Sequence, residues 1–286
     1  MNKFSCAIVA VFMLLATACS SHDVFIHNDR TISGLIGPIK EMVKVDFEAA
    51  ESDSGLVAVY PDAMFQTACL YNEAGVLLEQ TNRAAGRVSD EQEYMIVSLL
   101  NDLGQVVEQE GGKYGQQGYF KYFNEYDDAG RISRQVRFNE DLEIRWTYDV
   151  RSHEVFSIAR HLVTEERVWE IRSTRAEDGS LLSELFVDNK GNKISELKQE
   201  FDDNRRLRSR LVGYWEAGSW VQEFTEYAYD ADGRLASEKT GYVGTDFYVI
   251  TTYSDYDPWG NWCRSEIRDQ GGVPYTFSLR RFSYFD

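Results

Sequence analysis

A seven-residue phrase recurs along this chain: aromatic, Asp, two variable residues, Gly, polar, apolar. It reads Tyr126-Asp127-Asp128-Ala129-Gly130-Arg131-Ile132, then Tyr229-Asp230-Ala231-Asp232-Gly233-Arg234-Leu235, then Tyr256-Asp257-Pro258-Trp259-Gly260-Asn261-Trp262. Weaker copies centre on Gly75, Gly104, Ser152, Gly179, Gly191 and Arg205. Successive spacings at the Gly position are 29, 26, 22, 27, 12, 14, 28 and 27, and the two short ones together restore one period. A period of this size marks a repeat architecture in which each unit buries its apolar face only against its neighbours.

The turn chemistry follows from the residue types. Asp or Asn at the first turn position accepts hydrogen bonds from backbone just ahead of it. The next two residues take type I angles, and Pro258 sits where such a turn favours proline. Gly then supplies a left-handed conformation, which gives a three-residue hairpin loop with a bulge. This register sets the aromatic opposite the residue two beyond Gly. The pairs are Tyr71–Leu77, Leu100–Val106, Tyr126–Ile132, Phe201–Leu207, Tyr229–Leu235 and Tyr256–Trp262, all aromatic or apolar as a buried cross-strand pair requires. It also sets Asp127 against Arg131, Asp202 against Arg206 and Asp230 against Arg234. The same rule applied elsewhere predicts Tyr148–Glu154 and Val187–Lys193, which break the apolar pattern.

The flanks alternate with period two, as in Ile132, Val136 and Phe138 or Phe120, Tyr122 and Tyr126. Looser turns are expected at Gly111-Gly112, Asn139-Glu140-Asp141, Glu216-Ala217-Gly218 and Gln270-Gly271-Gly272. The fold class is therefore all-β: an antiparallel meander of hairpin repeats, sixteen to eighteen strands in all. A sheet of that size curls or closes, so the expectation is a large curled sheet or a partly closed barrel.

The N-terminus reads as an export signal. Lys3 precedes an apolar stretch from Ala7 to Ala18, too short for a membrane span, and Ala16-Thr17-Ala18-Cys19 follows. The expected organisation is a signal peptide over 1–18, a lipidated Cys and linker over 19–32, and a repeat domain over 33–286. Cys19 directly after small residues resembles the lipobox of bacterial lipoproteins, with Ala16 where Leu is commoner. That resemblance implies lipid attachment at Cys19 and an outer-membrane location, facing the periplasm or the cell surface. The alternative is an ordinary cleaved signal with a coincidental Cys. The net charge of −17 argues against nucleic acid and against docking on anionic headgroups. Cys69 and Cys263 share an oxidising compartment. They are read as separate thiols, with a bridge open only if the sheet closes.

The Tyr-Asp-x-x-Gly-Arg-Leu/Ile phrases resemble the YD repeats of RHS-type proteins. The segment Leu35-Ile36-Gly37-Pro38-Ile39-Lys40-Glu41-Met42 is similar to the opening of YD-repeat lipoproteins of Bacteroides-type bacteria. The segment Gly260-Asn261-Trp262, with Arg281 and Tyr284 beyond it, is similar to their close. The resemblance covers about residues 33–286. It implies a β-repeat fold on an exported protein and assigns no enzymatic activity.

Chemistry is harder to find. His22, His27, His153 and His161 form no metal-ligand pairing. The acidic turns lack the remaining ligands of a calcium loop. No nucleophile elbow or phosphate-binding loop is present. No cofactor and no metal are expected. Trp215 and Trp220 flank the Glu216-Ala217-Gly218 turn, and Trp259 sits at a hairpin tip. Two readings stand for them: a surface on which a glycan or peptide stacks, or packing onto neighbouring repeats. The functional expectation is a lipid-anchored binding or structural module. The alternative is an envelope enzyme acting on glycans through carboxylates in a sheet concavity. A localised function is to be sought where the phrase is broken or decorated, around Ser152–His153, Arg205 and Trp259.

Overall fold

The computed structural model describes residues 35–52, 55–58, 65–84, 94–113, 120–149 and 151–285. The expected signal peptide, Cys19 and linker lie outside the described residues. The strands are β1 Ile39–Ser52, β2 Gly55–Ala58, β3 Phe65–Tyr71, β4 Leu77–Ala84, β5 Tyr94–Leu100 and β6 Val106–Lys113. Then come β7 Phe120–Tyr126, β8 Ile132–Arg137, β9 Leu142–Asp149, β10 Glu154–His161, β11 Arg167–Arg175, β12 Leu181–Asp188 and β13 Lys193–Phe201. The last six are β14 Leu207–Glu216, β15 Ser219–Tyr229, β16 Leu235–Tyr242, β17 Tyr248–Tyr256, β18 Trp262–Asp269 and β19 Pro274–Tyr284.

From β3 to β19 every strand pairs antiparallel with the next. β1 closes the circuit. It pairs with β19 along Ile39–Glu48 and, on its other edge, with β3 along Glu41–Asp46. The end of β1 turns back on the short β2. Eighteen strands thus form a closed barrel, which removes the free edges that a long meander would otherwise expose.

All six apolar pairs derived from the repeat are present in register, and all but Tyr256–Trp262 lie beside a bulge. Val187 also pairs with Lys193. That turn lies at the opposite end of the barrel, which explains the two short spacings around Gly191. Eight turns of the phrase line one end, the near rim, together with Pro38 and Phe285. The far rim carries the connections at Phe138–Asp141, Gly191, Gly218, Gly244 and Gly272.

Two expectations are corrected. Tyr148 pairs with Val155, not Glu154, because the loop after Asp149 is one residue longer and His153 takes the left-handed conformation at φ 55°. The longer loop keeps the inward pair apolar. Gly111-Gly112 is not a turn but the end of β6. The Phe120 ring lies against Gly111, where a Cβ would come within 2.4 Å of it. Arg205 occupies the Gly position of its turn at φ 62°, a conformation that costs a side-chain-bearing residue about 1–2 kcal/mol.

Neighbouring hairpins are stitched together by the phrase itself. The Tyr126 hydroxyl donates to the Val106 carbonyl of the preceding hairpin (2.8 Å), Tyr148 to Ile132, Tyr229 to Leu207 (2.9 Å) and Tyr256 to Leu235 (2.6 Å). In return, the Arg after Gly lies over the next tyrosine. Arg131 sits 4.3 Å from the Tyr148 ring, Arg206 4.5 Å from Tyr229 and Arg234 4.5 Å from Tyr256. Each Arg is held from below by its turn Asp, whose other oxygen accepts two backbone N–H groups of the turn. The Arg206 guanidinium holds the Asp202 carboxyl below its ordinary range.

Alternate residues face inward. Ile132, Ile144, Trp146, Val155 and Ala159 form one buried cluster, with Tyr126, Tyr148 and Trp169 packed on it. A second, around Ile39, Met42, Cys69 and Tyr71, sits at the seam where the barrel closes. The outward face is charged at mid-strand: Lys121 pairs with Glu108, Arg134 with Glu125 and Glu143, Arg172 with Glu170, and Arg264 with Glu266. A bilayer-spanning barrel presents an apolar band there, and an Arg or Lys at its midplane costs about 2–4 kcal/mol. This wall is built to face water.

Replacing Tyr148 by Phe keeps the ring under Arg131 and removes only the hydroxyl. It leaves the buried Ile132 carbonyl without that donor and should lower stability by about 1 kcal/mol, read as a shift in the urea unfolding midpoint.

Candidate functional site

The structure separates the three tryptophans. Trp215 and Trp220 face each other across the β14–β15 hairpin at the far rim, outward, with ring centroids 5.5 Å apart in an edge-to-face arrangement. Trp259 lies at the near rim, in the β17–β18 turn. Local sequence explains both placements. Gly213 leaves room beneath Trp220, since a Cβ there would meet the indole at 2.4 Å. Trp259 covers Gly37 in the same way, at 2.5 Å, with its ring centroid 6.4 Å from that of Tyr284.

Trp259 is therefore part of a latch. Asn261 stands where the turns at Gly130, Arg205 and Gly233 carry Arg. Its amide donates to the Ile36 carbonyl (2.8 Å) and to Asp257 (2.8 Å), and its carbonyl oxygen accepts from the Ile36 N–H (2.6 Å). The Tyr284 hydroxyl donates to the same Asp257 carboxylate. One turn thus grips both the segment before β1 and the end of β19. Half of Trp259 is exposed (49%), but its inner face is committed to Gly37.

Trp215 is different. Its indole N–H donates to the Lys193 carbonyl (2.9 Å), which fixes the ring, yet the side chain remains 56% exposed. The Lys193 ammonium lies 3.9 Å from the Trp220 ring centre. Beside this platform a cavity of about 310 Å³ is lined by Glu216, Trp220, Val221, Gln222, Tyr242, Val243 and Thr245. A rigid aromatic face next to carboxylate, amide and hydroxyl groups can stack one side of a ligand while hydrogen-bonding its edge.

The interior holds a second polar arrangement that the sequence reading did not single out. From β14 to β1 the inward positions include Arg210, Glu223, Tyr227, Glu238, Tyr253, Arg280 and Asp46. Burial pushes the Glu238 carboxyl above its ordinary value, opposed by Tyr253, Arg280 and Arg210. Glu238 on β16 feels Arg280 on β19, three strands away, because the inner face is concave. Burial likewise raises Glu223, drives Tyr227 up to about 12 and brings Arg280 down to about 10. The Arg280 guanidinium lies 3.5 Å from the Trp262 ring centre. Glu223 and Glu238 are offset by four residues in the β15–β16 register, about 13 Å along the strand at roughly 3.3 Å per residue. A carboxylate pair cleaving a glycosidic bond stands about 5–9.5 Å apart. The only hint of this band in the sequence is ionisable residues at the inward positions of the alternation.

Cys69 on β3 and Cys263 on β18 are both free thiols. Closure brings their strands within three places of each other, with β19 and β1 between them. Among the described residues no His, Cys, Asp or Glu group is arranged to hold a metal ion.

No protein-family profile and no characterised protein sequence matches the chain. Solved structures with a related course include a porin-like protein from Bacteroides uniformis, at 11% identity over 87% of this chain and 99% of that one, TM-score 0.46. A porin-like protein from Bacteroides vulgatus follows at 11% identity over 86% and 98%, TM-score 0.32. The TcdB2-TccC3-Cdc42 structure matches at 13% identity over 83% of this chain, TM-score 0.37, and the chain spans 14% of that protein's length. At these identities and TM-scores none of the likenesses bears on what the barrel does.

A glutamate with a raised folded-state pKa favours the fold while protonated. That contribution is complete below the ordinary value of 4.5 and is lost as pH rises through the raised value. Glu238→Gln should therefore flatten the fall in stability between pH 4.5 and neutrality and unfold at a higher temperature than the parent at pH 7. Melting curves across that range check both outcomes.

Proposed function

We propose that this chain is a lipid-anchored protein of the bacterial envelope whose barrel is a binding module, and that the Trp215–Trp220 platform engages a glycan. The observation that carries the reading is the Trp215 indole: pinned by a hydrogen bond, set edge-to-face against Trp220, and still half in water. A large apolar ring held open in this way forgoes burial that would stabilise the fold. The adjoining cavity is lined by groups that hydrogen-bond sugar hydroxyls, which favours a glycan over an apolar peptide.

The anchoring part of the reading rests on the lipobox-like segment ending at Cys19 and on the charged outer wall, which leaves the N-terminus as the attachment. Residues 35–38 lie at the near rim. A lipid on Cys19 would thus hold that rim toward the membrane and turn the tryptophan platform away from it, where extended glycans are accessible.

A glycan and peptide array probed with the soluble chain lacking residues 1–19 should give glycan signals. Trp215→Ala should weaken the best of them tenfold or more, about 1.4 kcal/mol. Unchanged binding by the variant, or binding to peptides alone, would overturn the assignment. For the anchor, Cys19→Ala should abolish incorporation of a labelled fatty acid and release the protein from membranes; retained label would refute it.

A further inference from the structure

Between the β9–β10 and β11–β12 hairpins the stitching of the near rim fails, and a cavity opens there. At the regular steps an Arg from one hairpin covers a Tyr of the next. Between the β9–β10 and β11–β12 hairpins every member of that contact is replaced. The residue after the left-handed position is Glu154 in place of Arg. The aromatic position of the following hairpin is Arg175, opposite Leu181. Ala176 takes the place of the turn Asp, and the longer loop carries His153 instead of Gly.

The result is a cavity of about 300 Å³ between the two hairpins, the size of one small metabolite. Arg175 lines it and is 6% exposed, so a buried guanidinium forms part of the lining. One of its terminal nitrogens donates to the Gly179 carbonyl (2.8 Å), and its backbone N–H donates to the His153 carbonyl (2.9 Å), which ties the two hairpins at the floor. Tyr148 and Val155 form an apolar wall. Exposed His153, Glu154 and Glu177 stand at the mouth. Two other acids of the lining are engaged elsewhere. Asp149 accepts the Arg151 N–H (2.9 Å), while Asp178 accepts the Ser180 N–H (2.9 Å) and pairs with Arg205 (3.3 Å).

A buried guanidinium recognises a carboxylate. Carboxylates at the mouth disfavour a simple dianion and favour a ligand that also carries a cationic group. We propose that this cavity binds a small zwitterion of the α-amino-acid class, its carboxylate toward Arg175 and its ammonium toward Glu154 and Glu177. The site is independent of the tryptophan platform, which lies on the opposite rim.

The test is titration calorimetry of the full chain with a panel of free amino acids, with succinate as an anion lacking the cation and 1,4-diaminobutane as a cation lacking the anion. At least one amino acid should bind saturably, and neither control should match it. Arg175→Tyr restores the aromatic residue of the repeat opposite Leu181 and should weaken that binding tenfold or more. Trp215→Ala should leave it unchanged. The proposal falls if no amino acid binds, if succinate binds as tightly as the best of them, or if a folded Arg175→Tyr chain, confirmed by its melting curve, binds like the parent.

Discussion

The structure depends on a reciprocal contact between consecutive hairpins: a tyrosine hydroxyl reaching back to a carbonyl, and an arginine reaching forward over the next tyrosine ring. A two-stranded hairpin is marginal in water by itself. Here each one is tied to its neighbours by ladder hydrogen bonds and, at three of the near-rim steps, by this polar–aromatic stitch. The turn Asp makes the stitch possible, because it bonds the turn backbone and the Arg together and so presents the guanidinium in a fixed direction. A chain of such contacts propagates around a curve, and eighteen strands are enough to bring its ends together.

Closure needs something the repeat does not contain. At the seam the phrase is altered: Asn261 replaces Arg, and its amide grips the chain ahead of β1 from both sides. Trp259 over Gly37 and Tyr284 on Asp257 complete the latch. The tip tryptophan, conspicuous in the sequence as a possible ligand surface, is thus turned toward the barrel's own ends. Among the described residues no segment covers the Trp215 ring in this way, and the difference between the two comes from which segment the topology places over each ring.

Much of the architecture is legible in the sequence. The six cross-strand pairs, the bulges and the Asp–Arg contacts all follow from one turn rule, because a three-residue loop with a left-handed Gly permits a single register. The rule misplaced the Tyr148 hairpin by one residue. Nothing in the local sequence shows that His153 rather than Ser152 takes the left-handed conformation; keeping the inward pair apolar decides it. Gly111-Gly112 misled for a related reason: two glycines read as a turn when they make room for the Phe120 ring on the adjacent strand. The inward band around Glu238, Tyr253 and Arg280 was not legible. Its members lie on strands that meet only through the concavity of the closed sheet.

The sequence by itself determined the repeating hairpin, its register and the chemistry of its turns, since these depend on residues within about seven positions of one another. Tertiary structure alone decided that the meander closes, which face is inside, that the wall is charged outward, and that a break in the phrase becomes a cavity lined by a buried Arg175. Those features depend on contacts between residues as far apart as Ile36 and Asn261. Local pattern cannot specify such contacts, because they arise only when the accumulated curvature of all the hairpins brings the two ends of the chain into register.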